Sequence, residues 1–115
     1  RELTYEETLE HLEKCNKNGL VHTINILGQI CNCCEDCCAI FRSHKIGAPT
    51  FIPSPFMAVV DEDSCTECET CADRCPVDAI KMDGAAEVNA EICIGCGVCY
   101  PSCPSESIRL ERRPA

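Results

Sequence analysis

The chain contains two cysteine runs of identical spacing, and no other feature constrains its fold as strongly. The first run reads Cys65-x2-Cys68-x2-Cys71-x3-Cys75-Pro76. The second run follows later in the chain and reads Cys93-x2-Cys96-x2-Cys99-x3-Cys103-Pro104. Three thiolates at two-residue intervals can wrap one metal cluster, whereas the fourth cysteine of each run is directed away from it. A disulfide framework has no need of this repeated spacing, so the two runs predict metal ligands.

Residues 58–112, which contain both runs and both prolines, resemble the bacterial ferredoxins that carry two 4Fe-4S clusters. In that family the fourth cysteine of each run ligates the cluster of the other run. The resemblance implies a first cluster on Cys65, Cys68, Cys71 and Cys103. It implies a second cluster on Cys93, Cys96, Cys99 and Cys75.

The repeat extends beyond the cysteines, because the shift that carries Cys65 onto Cys93 also pairs Val60 with Val88 and Ile80 with Ile108. We therefore expect an α+β, ferredoxin-like dicluster domain made of two halves related by a pseudo-two-fold axis. Short strands are predicted at 58–61, 80–82, 86–89 and 108–110, with Asp83-Gly84 as a turn. About 55 residues bury too little apolar surface to fold unaided, so cluster binding should supply folding free energy.

Residues 1–45 are predicted to form a helical, cysteine-rich segment that precedes this domain. Thr4 and Glu7 have the spacing of a capping box, and Asn18-Gly19 is a plausible helix stop. The apolar run 20–30 should be buried, and helix should resume near Cys34 and continue to about Lys45. Residues 46–57, which contain three prolines, are predicted as a linker, and residues 58–115 as the dicluster domain. The arginines near the end of the chain form a short basic tail, suited to solubility or to docking: Arg109, Arg112 and Arg113.

The amino-terminal segment contains a third set of closely spaced cysteines. Cys31-x2-Cys34-x2-Cys37 repeats the cluster-wrapping spacing, and four residues could supply a further ligand: Cys33, Cys38, Cys15 or His22. A third 4Fe-4S cluster, a zinc site, and free, disulfide-bonded or redox-sensing thiols are all compatible with this set. The sequence GLVH followed by ICNCC also resembles the carboxy-terminal part of longer anaerobic iron–sulfur proteins, a resemblance that assigns no ligands.

The formal net charge of −9 argues against binding to nucleic acid and to anionic membranes. It favours redox partner proteins that present basic docking patches. No apolar stretch approaches membrane-spanning length, and the abundance of thiols fits a reducing cytoplasm.

The function expected from these features is electron transfer through two 4Fe-4S clusters, in a module or subunit of a larger anaerobic redox system. The chain would then be an electron carrier and not an enzyme, because all eight cysteines of the two runs are used as ligands. One alternative is a redox- or oxygen-sensing regulatory or interaction domain with structural clusters. Another is an enzymatic site at residues 15–38, if one iron there lacks a protein ligand.

Overall fold

The structure is a computed structural model that describes residues 1–24, 27–48, 50 and 52–114. Asn25 and Ile26 of the predicted apolar run, Pro49 and Phe51 of the predicted linker, and Ala115 lie outside the described residues. Three α-helices are described: α1 (Tyr5–Lys17), α2 (Ala39–Lys45) and α3 (Thr70–Asp73). Six strands pair two by two: β1 (Val21–Ile24), β2 (Ile30–Cys33), β3 (Phe56–Val60), β4 (Ile80–Asp83), β5 (Ala85–Val88) and β6 (Ile108–Arg112). A 3-10 helical turn covers Tyr100–Ser102.

Helix α1 begins and ends where the sequence predicted. The Thr4 hydroxyl accepts a hydrogen bond from the Glu7 backbone, and the Glu7 carboxylate accepts one from the Thr4 backbone, so the capping box is confirmed. At the other end Asn18 caps the helix, and Gly19 adopts a φ of 76°. The left-handed conformation of Gly19 stops further helical turns, since glycine reaches it without steric cost.

The rest of the amino-terminal segment is a hairpin followed by a short helix. Strand β1 pairs antiparallel with β2, and Val21 lies opposite Cys33. Val21, Thr23 and Ile24 are β-branched, which favours strand over helix. The segment is thus helical at its two ends only, and α2 begins at Ala39, later than the expected restart near Cys34.

All four strands predicted around the two cysteine runs are present. Strand β3 pairs antiparallel with β6, and β4 pairs antiparallel with β5. Asp83 ends β4 and Gly84, with a φ of 80°, turns the chain into β5, as predicted. The first and last strands of the repeat therefore lie side by side, which brings the two cysteine runs together. These elements give a small α+β structure that is compatible with a ferredoxin-like dicluster domain.

Two small hydrophobic cores support this arrangement. The first lies between the two runs and contains Ala58, Cys71, Ile80, Ala86, Cys99 and Ile108. The second, here called the joint core, contains Val21, Phe41, Ile94 and Val98. Because Val21 and Phe41 belong to the amino-terminal segment and the other two residues belong to the second run, the joint core packs that segment onto the dicluster domain.

Candidate metal centres

One cavity brings together three cysteines of the first run and one of the second. Cavity one is lined by Cys65, Cys68, Cys71 and Cys103. Apolar side chains complete its wall, among them Met82 and Ile108. Helix α3 holds Cys71, and the turn after Tyr100–Ser102 delivers Cys103.

A second cavity shows the complementary combination. Cavity two is lined by Cys75, Cys93, Cys96 and Cys99. Its wall is also apolar and includes Val77, Ile80 and Val88. The two groups of four thiols are those that the ferredoxin resemblance implies as ligand sets. In each cavity, the cysteine that precedes proline comes from the other run.

The backbone around the two cavities repeats at the same interval as the sequence. Left-handed φ values occur at Glu67 and Glu69 in the first run and at Gly95 and Gly97 in the second. Each of these residues flanks the second cysteine of its run, where the chain must curl around the cavity. A further pair, Asp78 and Glu106, has a φ of 53° at both residues and follows the fourth cysteine of each run. Positive φ is costly outside glycine, so its recurrence at equivalent positions of the two runs marks a required backbone shape.

Backbone amides point at the sulfurs of the two crossing cysteines. The Ala79 amide donates to Cys75 Sγ at 3.2 Å, and the Ser107 amide donates to Cys103 Sγ at 3.3 Å. In both runs the donor occupies the same position relative to the acceptor. Such hydrogen bonds favour the charged form of a thiol, which is the form that binds metal.

Three of the cavity thiols have raised pKa values, so they need a nearby positive charge in order to ionise. Burial, together with the neighbouring thiols of Cys96 and Cys75, raises the pKa of Cys99 to about 12. Burial likewise raises the pKa of Cys96 and the pKa of Cys71. Four thiolates in an apolar cavity repel one another, so their joint ionisation requires a compensating positive charge such as iron supplies. Soft donors, apolar walls and amide-to-sulfur bonds therefore fit a thiolate-ligated iron–sulfur cluster in each cavity.

The two cavities differ in what covers them. The loop beside cavity one, Thr66 to Glu69, is exposed, and Cys68 is exposed with it. A hydrogen bond between the Cys68 sulfur and the Thr70 hydroxyl, together with one from the Thr70 backbone amide, lowers the pKa of Cys68. The corresponding loop beside cavity two contains Ile94, 8% exposed, and Val98, 3% exposed, both in the joint core. The amino-terminal segment thus shields one cavity and leaves the other open.

Arg113 has a structural role that the sequence did not reveal. Its guanidinium donates hydrogen bonds to the carbonyl oxygens of Ser54 at 3.1 Å, Ala90 at 2.8 Å and Cys93. Its backbone amide also donates to the Pro55 carbonyl at 2.8 Å. Arg113 therefore fastens the end of the predicted linker to the second run, whereas the sequence placed it in a basic tail. No local pattern singles it out from Arg109 and Arg112.

The cysteines of the predicted third site lie close to one another. Cys31 and Cys33 stand on β2, Cys34 follows it, Cys37 is exposed, and Cys38 precedes α2. The Cys33 thiol interacts with the thiols of Cys31 and Cys38, and the Cys34 thiol interacts with that of Cys37. Burial, with these neighbouring thiols, raises the pKa of Cys33 to about 11.

The two other residues considered for this site have partners elsewhere. Cys15 is buried on α1, and its sulfur lies 3.6 Å from His11 Nε2. His22 Nδ1 forms a hydrogen bond of 2.7 Å with the Asn32 side-chain oxygen. Within the described part of the chain, no three His, Cys, Asp or Glu side chains converge closely enough to hold a single metal ion. The eight cysteines of the two cavities do not converge on a single ion either. A four-iron cluster does not require them to, because each of its ligands binds a different iron.

The two runs lie within a match to a known family of domains. The family model described as a 4Fe-4S dicluster domain matches residues 58–110. This match supports a dicluster domain of ferredoxin type over these residues, with two 4Fe-4S clusters as its cofactors. The resemblance predicted for residues 58–112 is confirmed over this range. The resemblance of the amino-terminal segment to longer anaerobic proteins stays a prediction, because the match does not reach it.

Two further findings complete the comparison with known proteins. Among the curated proteins, none matches this chain. Of the described helices, none combines the length and apolar character needed to cross a membrane. The family match covers residues 58–110, and the type of domain that it describes suggests electron transfer through iron–sulfur clusters.

Proposed function

We propose that the chain relays single electrons between two 4Fe-4S clusters, one in cavity one and one in cavity two. The ligands would be Cys65, Cys68, Cys71 and Cys103 in cavity one, and Cys75, Cys93, Cys96 and Cys99 in cavity two. The observation that supports this assignment is that each cavity is lined by four cysteines drawn from both runs. Cross-ligation would tie the two sites together and keep them close, which favours transfer between them.

When bound, the clusters supply reversible one-electron chemistry. The protein supplies the ligands, the amide donors and the apolar walls. Donors such as the Ala79 and Ser107 amides offset negative charge on sulfur and so ease the addition of an electron. With every cysteine of the two cavities used as a ligand, this domain acts as a carrier and offers substrate no open iron.

The backbone also supports two equivalent halves. Left-handed residues and amide-to-sulfur bonds both recur at the interval that separates Cys65 from Cys93. We propose that a pseudo-two-fold axis relates residues 58–85 to residues 86–113. The domain boundaries would follow as 1–45 for the amino-terminal segment, 46–57 for the linker and 58–115 for the dicluster domain.

Cavity one is the proposed side for contact with a redox partner. Its rim is exposed and acidic, with Glu67 and Glu69 on the loop and Asp61, Glu62 and Asp63 just before the first run. A partner with a basic patch would be steered to this side, and the association rate should fall as salt rises. We place the chain in a larger anaerobic redox system of the cytoplasm, since so many thiols need reducing conditions.

Anaerobic cycling of the intact chain tests the relay. Reduction by dithionite followed by controlled reoxidation should bleach and restore the iron–sulfur absorbance over repeated cycles, with the iron content unchanged. Cluster loss at the first oxidation would contradict the relay and favour a sensing or structural role.

A further inference from the structure

The five cysteines between β2 and α2 form one continuous group of thiols. Cys31 contacts Cys33, and Cys33 contacts Cys38. Cys38 is also within electrostatic reach of Cys34, which contacts Cys37. Packing alone does not explain this group, because two of its five members, Cys33 and Cys38, are the ones that pack against the joint core. We call Cys31, Cys33, Cys34, Cys37 and Cys38 the thiol group.

Two members of the thiol group receive backbone hydrogen bonds of the kind seen at the cavity cysteines. The Cys34 sulfur accepts from the amides of Asp36 and Cys37. The Cys38 sulfur accepts from the amides of Ile40 and Phe41. The donor two positions after the cysteine is the shared element.

The same pattern occurs in both cavities. Cys68 accepts from the Thr70 amide, Cys96 from the Val98 amide and Cys103 from the Ser105 amide. Amides aimed at sulfur in this way stabilise thiolate, the form that coordinates metal. Cys34 and Cys38 therefore share this one feature with three of the proposed cluster ligands.

The thiol group also lies against cavity two. Cys33 and Cys38 pack on the joint core, and so does Cys96, one of the four cysteines that line cavity two. Cys31 and Cys96 line the same open cleft. No such connection joins the thiol group to the lining of cavity one within the described residues.

We propose that the thiol group binds a third iron–sulfur cluster, ligated by Cys31, Cys34, Cys37 and Cys38, which exchanges electrons with the site in cavity two. This inference rests on the proposed relay and extends it by one site. Cys31, Cys34 and Cys37 have the cluster-wrapping spacing, and Cys38 adds a fourth sulfur that is already held by backbone amides. Transfer moves one electron, so one site is oxidised as the other is reduced, and no bond or proton needs to move.

Cavity two would stand between the other two sites, because its Cys96 packs on the joint core beside Cys33 and Cys38, and its Cys75 comes from the run that supplies three cysteines of cavity one. An external one-electron carrier would meet cavity one, and the electron would continue through cavity two to the thiol group. The half-buried Cys33 would remain a free thiol, as would Cys15 on α1.

Anaerobic iron, sulfide and zinc analysis of the intact chain, together with Mössbauer spectroscopy, tests the proposal. The wild-type chain should bind about 12 irons and 12 sulfides, as three four-iron clusters require, and no stoichiometric zinc. The double variant Cys34→Ala/Cys38→Ala should bind about 8 of each. Its remaining spectrum should be that of two intact clusters, which also shows that the domain is folded.

Two matched variants serve as controls, because Cys15→Ala and Cys33→Ala each remove one cysteine that is not a proposed ligand. Both should keep about 12 irons. A wild-type chain with about 8 irons, with or without one zinc, would overturn the third cluster and leave the relay intact. Fewer than about 8 irons in the wild-type chain would instead contradict the relay itself, so the two failures are distinguishable.

Discussion

Cavity one and cavity two have nearly the same backbone but opposite surroundings. The loop of cavity one has acidic residues at its left-handed positions, Glu67 and Glu69, and is open to solvent. The loop of cavity two has glycines at the equivalent positions and is covered by Val21 and Phe41. A repeated sequence therefore yields two cysteine-lined cavities that share a backbone shape and differ in access.

The difference shows how two half-domains with an equivalent backbone can differ in their access to solvent. Ligand spacing, turn conformation and amide-to-sulfur bonds determine what each half can bind, so they are the same in both halves. The amino-terminal segment covers the loop of cavity two, whereas it meets the first run through the hydrogen bond from Arg74 to the Asn16 carbonyl, so it makes one site an outer site and the other an inner site. We expect large effects from changes to the cysteines that both sites share as a feature, and smaller effects from changes to the loops that distinguish the two sites.

Complete removal of iron should have the largest effect. The core between the two runs contains two alanines, two cysteines and two isoleucines, so little apolar area is buried without the clusters. We expect residues 58–112 to lose their fold when iron is chelated anaerobically, as followed by circular dichroism and amide dispersion in NMR spectra. A well-dispersed spectrum of the iron-free chain would show that the protein core suffices.

Cys75 and Cys103 each line the cavity whose other three cysteines come from the other run. Loss of either cysteine should therefore damage the site in that cavity. Cys75→Ala should give the same residual spectrum as Cys96→Ala, because both side chains line cavity two. Cys103→Ala should instead match Cys68→Ala, and each variant should lose up to about four irons. Mössbauer and electron paramagnetic resonance spectra of the four reduced proteins make the comparison. If Cys75→Ala matched Cys68→Ala, the ligand sets would not cross.

Substitution of Gly95 should destabilise the covered site more than the equivalent change at Gly97. A Cβ atom on Gly95 would lie 2.1 Å from the Phe56 carbonyl oxygen and 2.7 Å from Ser54 Cβ. A Cβ atom on Gly97 would meet only the flexible end of Leu110, at 3.3 Å. Both glycines have positive φ, so Gly97→Ala should cost about 1–2 kcal/mol, and Gly95→Ala should exceed that by about 2 kcal/mol or more.

Guanidinium-induced release of iron, measured anaerobically, reports these differences. Gly97→Ala is the matched control, since it introduces the same methyl group at the same kind of backbone position. Equal midpoints for the two variants would mean that the linker does not press on the loop of cavity two.

Removal of the acidic charge beside cavity one should have the smallest effect. Glu67→Gln/Glu69→Gln should raise the reduction potential of the outer cluster, because negative charge opposes the addition of an electron. For exposed charges we expect a shift of roughly 10–40 mV, which corresponds to roughly 0.2–1 kcal/mol. A spectroelectrochemical titration measures it, with Glu13→Gln on α1 as the control. A shift of the inner cluster alone would reverse the assignment of outer and inner sites.

The sequence was sufficient to predict the features that depend on local chemistry. The capping box of Thr4 and Glu7, the stop at Gly19, the four strands of the repeat and the turn at Gly84 all follow from residues close together in the chain. Cysteine spacing predicted metal ligands, and the resemblance to dicluster ferredoxins that this spacing carries implied the dicluster domain.

Features that depend on contacts between distant residues could not be predicted. The joint core combines residues from two regions far apart in the sequence, and no local pattern pairs Phe41 with Val98. Arg113 reaches the carbonyls of Ser54 and Cys93 only because β6 runs beside β3. The run 20–30 was predicted to be buried, without an assigned hairpin. Val21 is buried, but Ile24, Leu27 and Ile30 are exposed, because the hairpin β1–β2 has only two strands and leaves part of its surface uncovered.

Anomalous diffraction at the iron edge, from crystals of the intact chain grown anaerobically, would locate the iron atoms and their ligands. We expect one four-iron group in cavity one and one in cavity two, each bonded to three sulfurs of one run and one sulfur of the other. Single zinc ions in these cavities, or the eight sulfurs joined in disulfides, would contradict it.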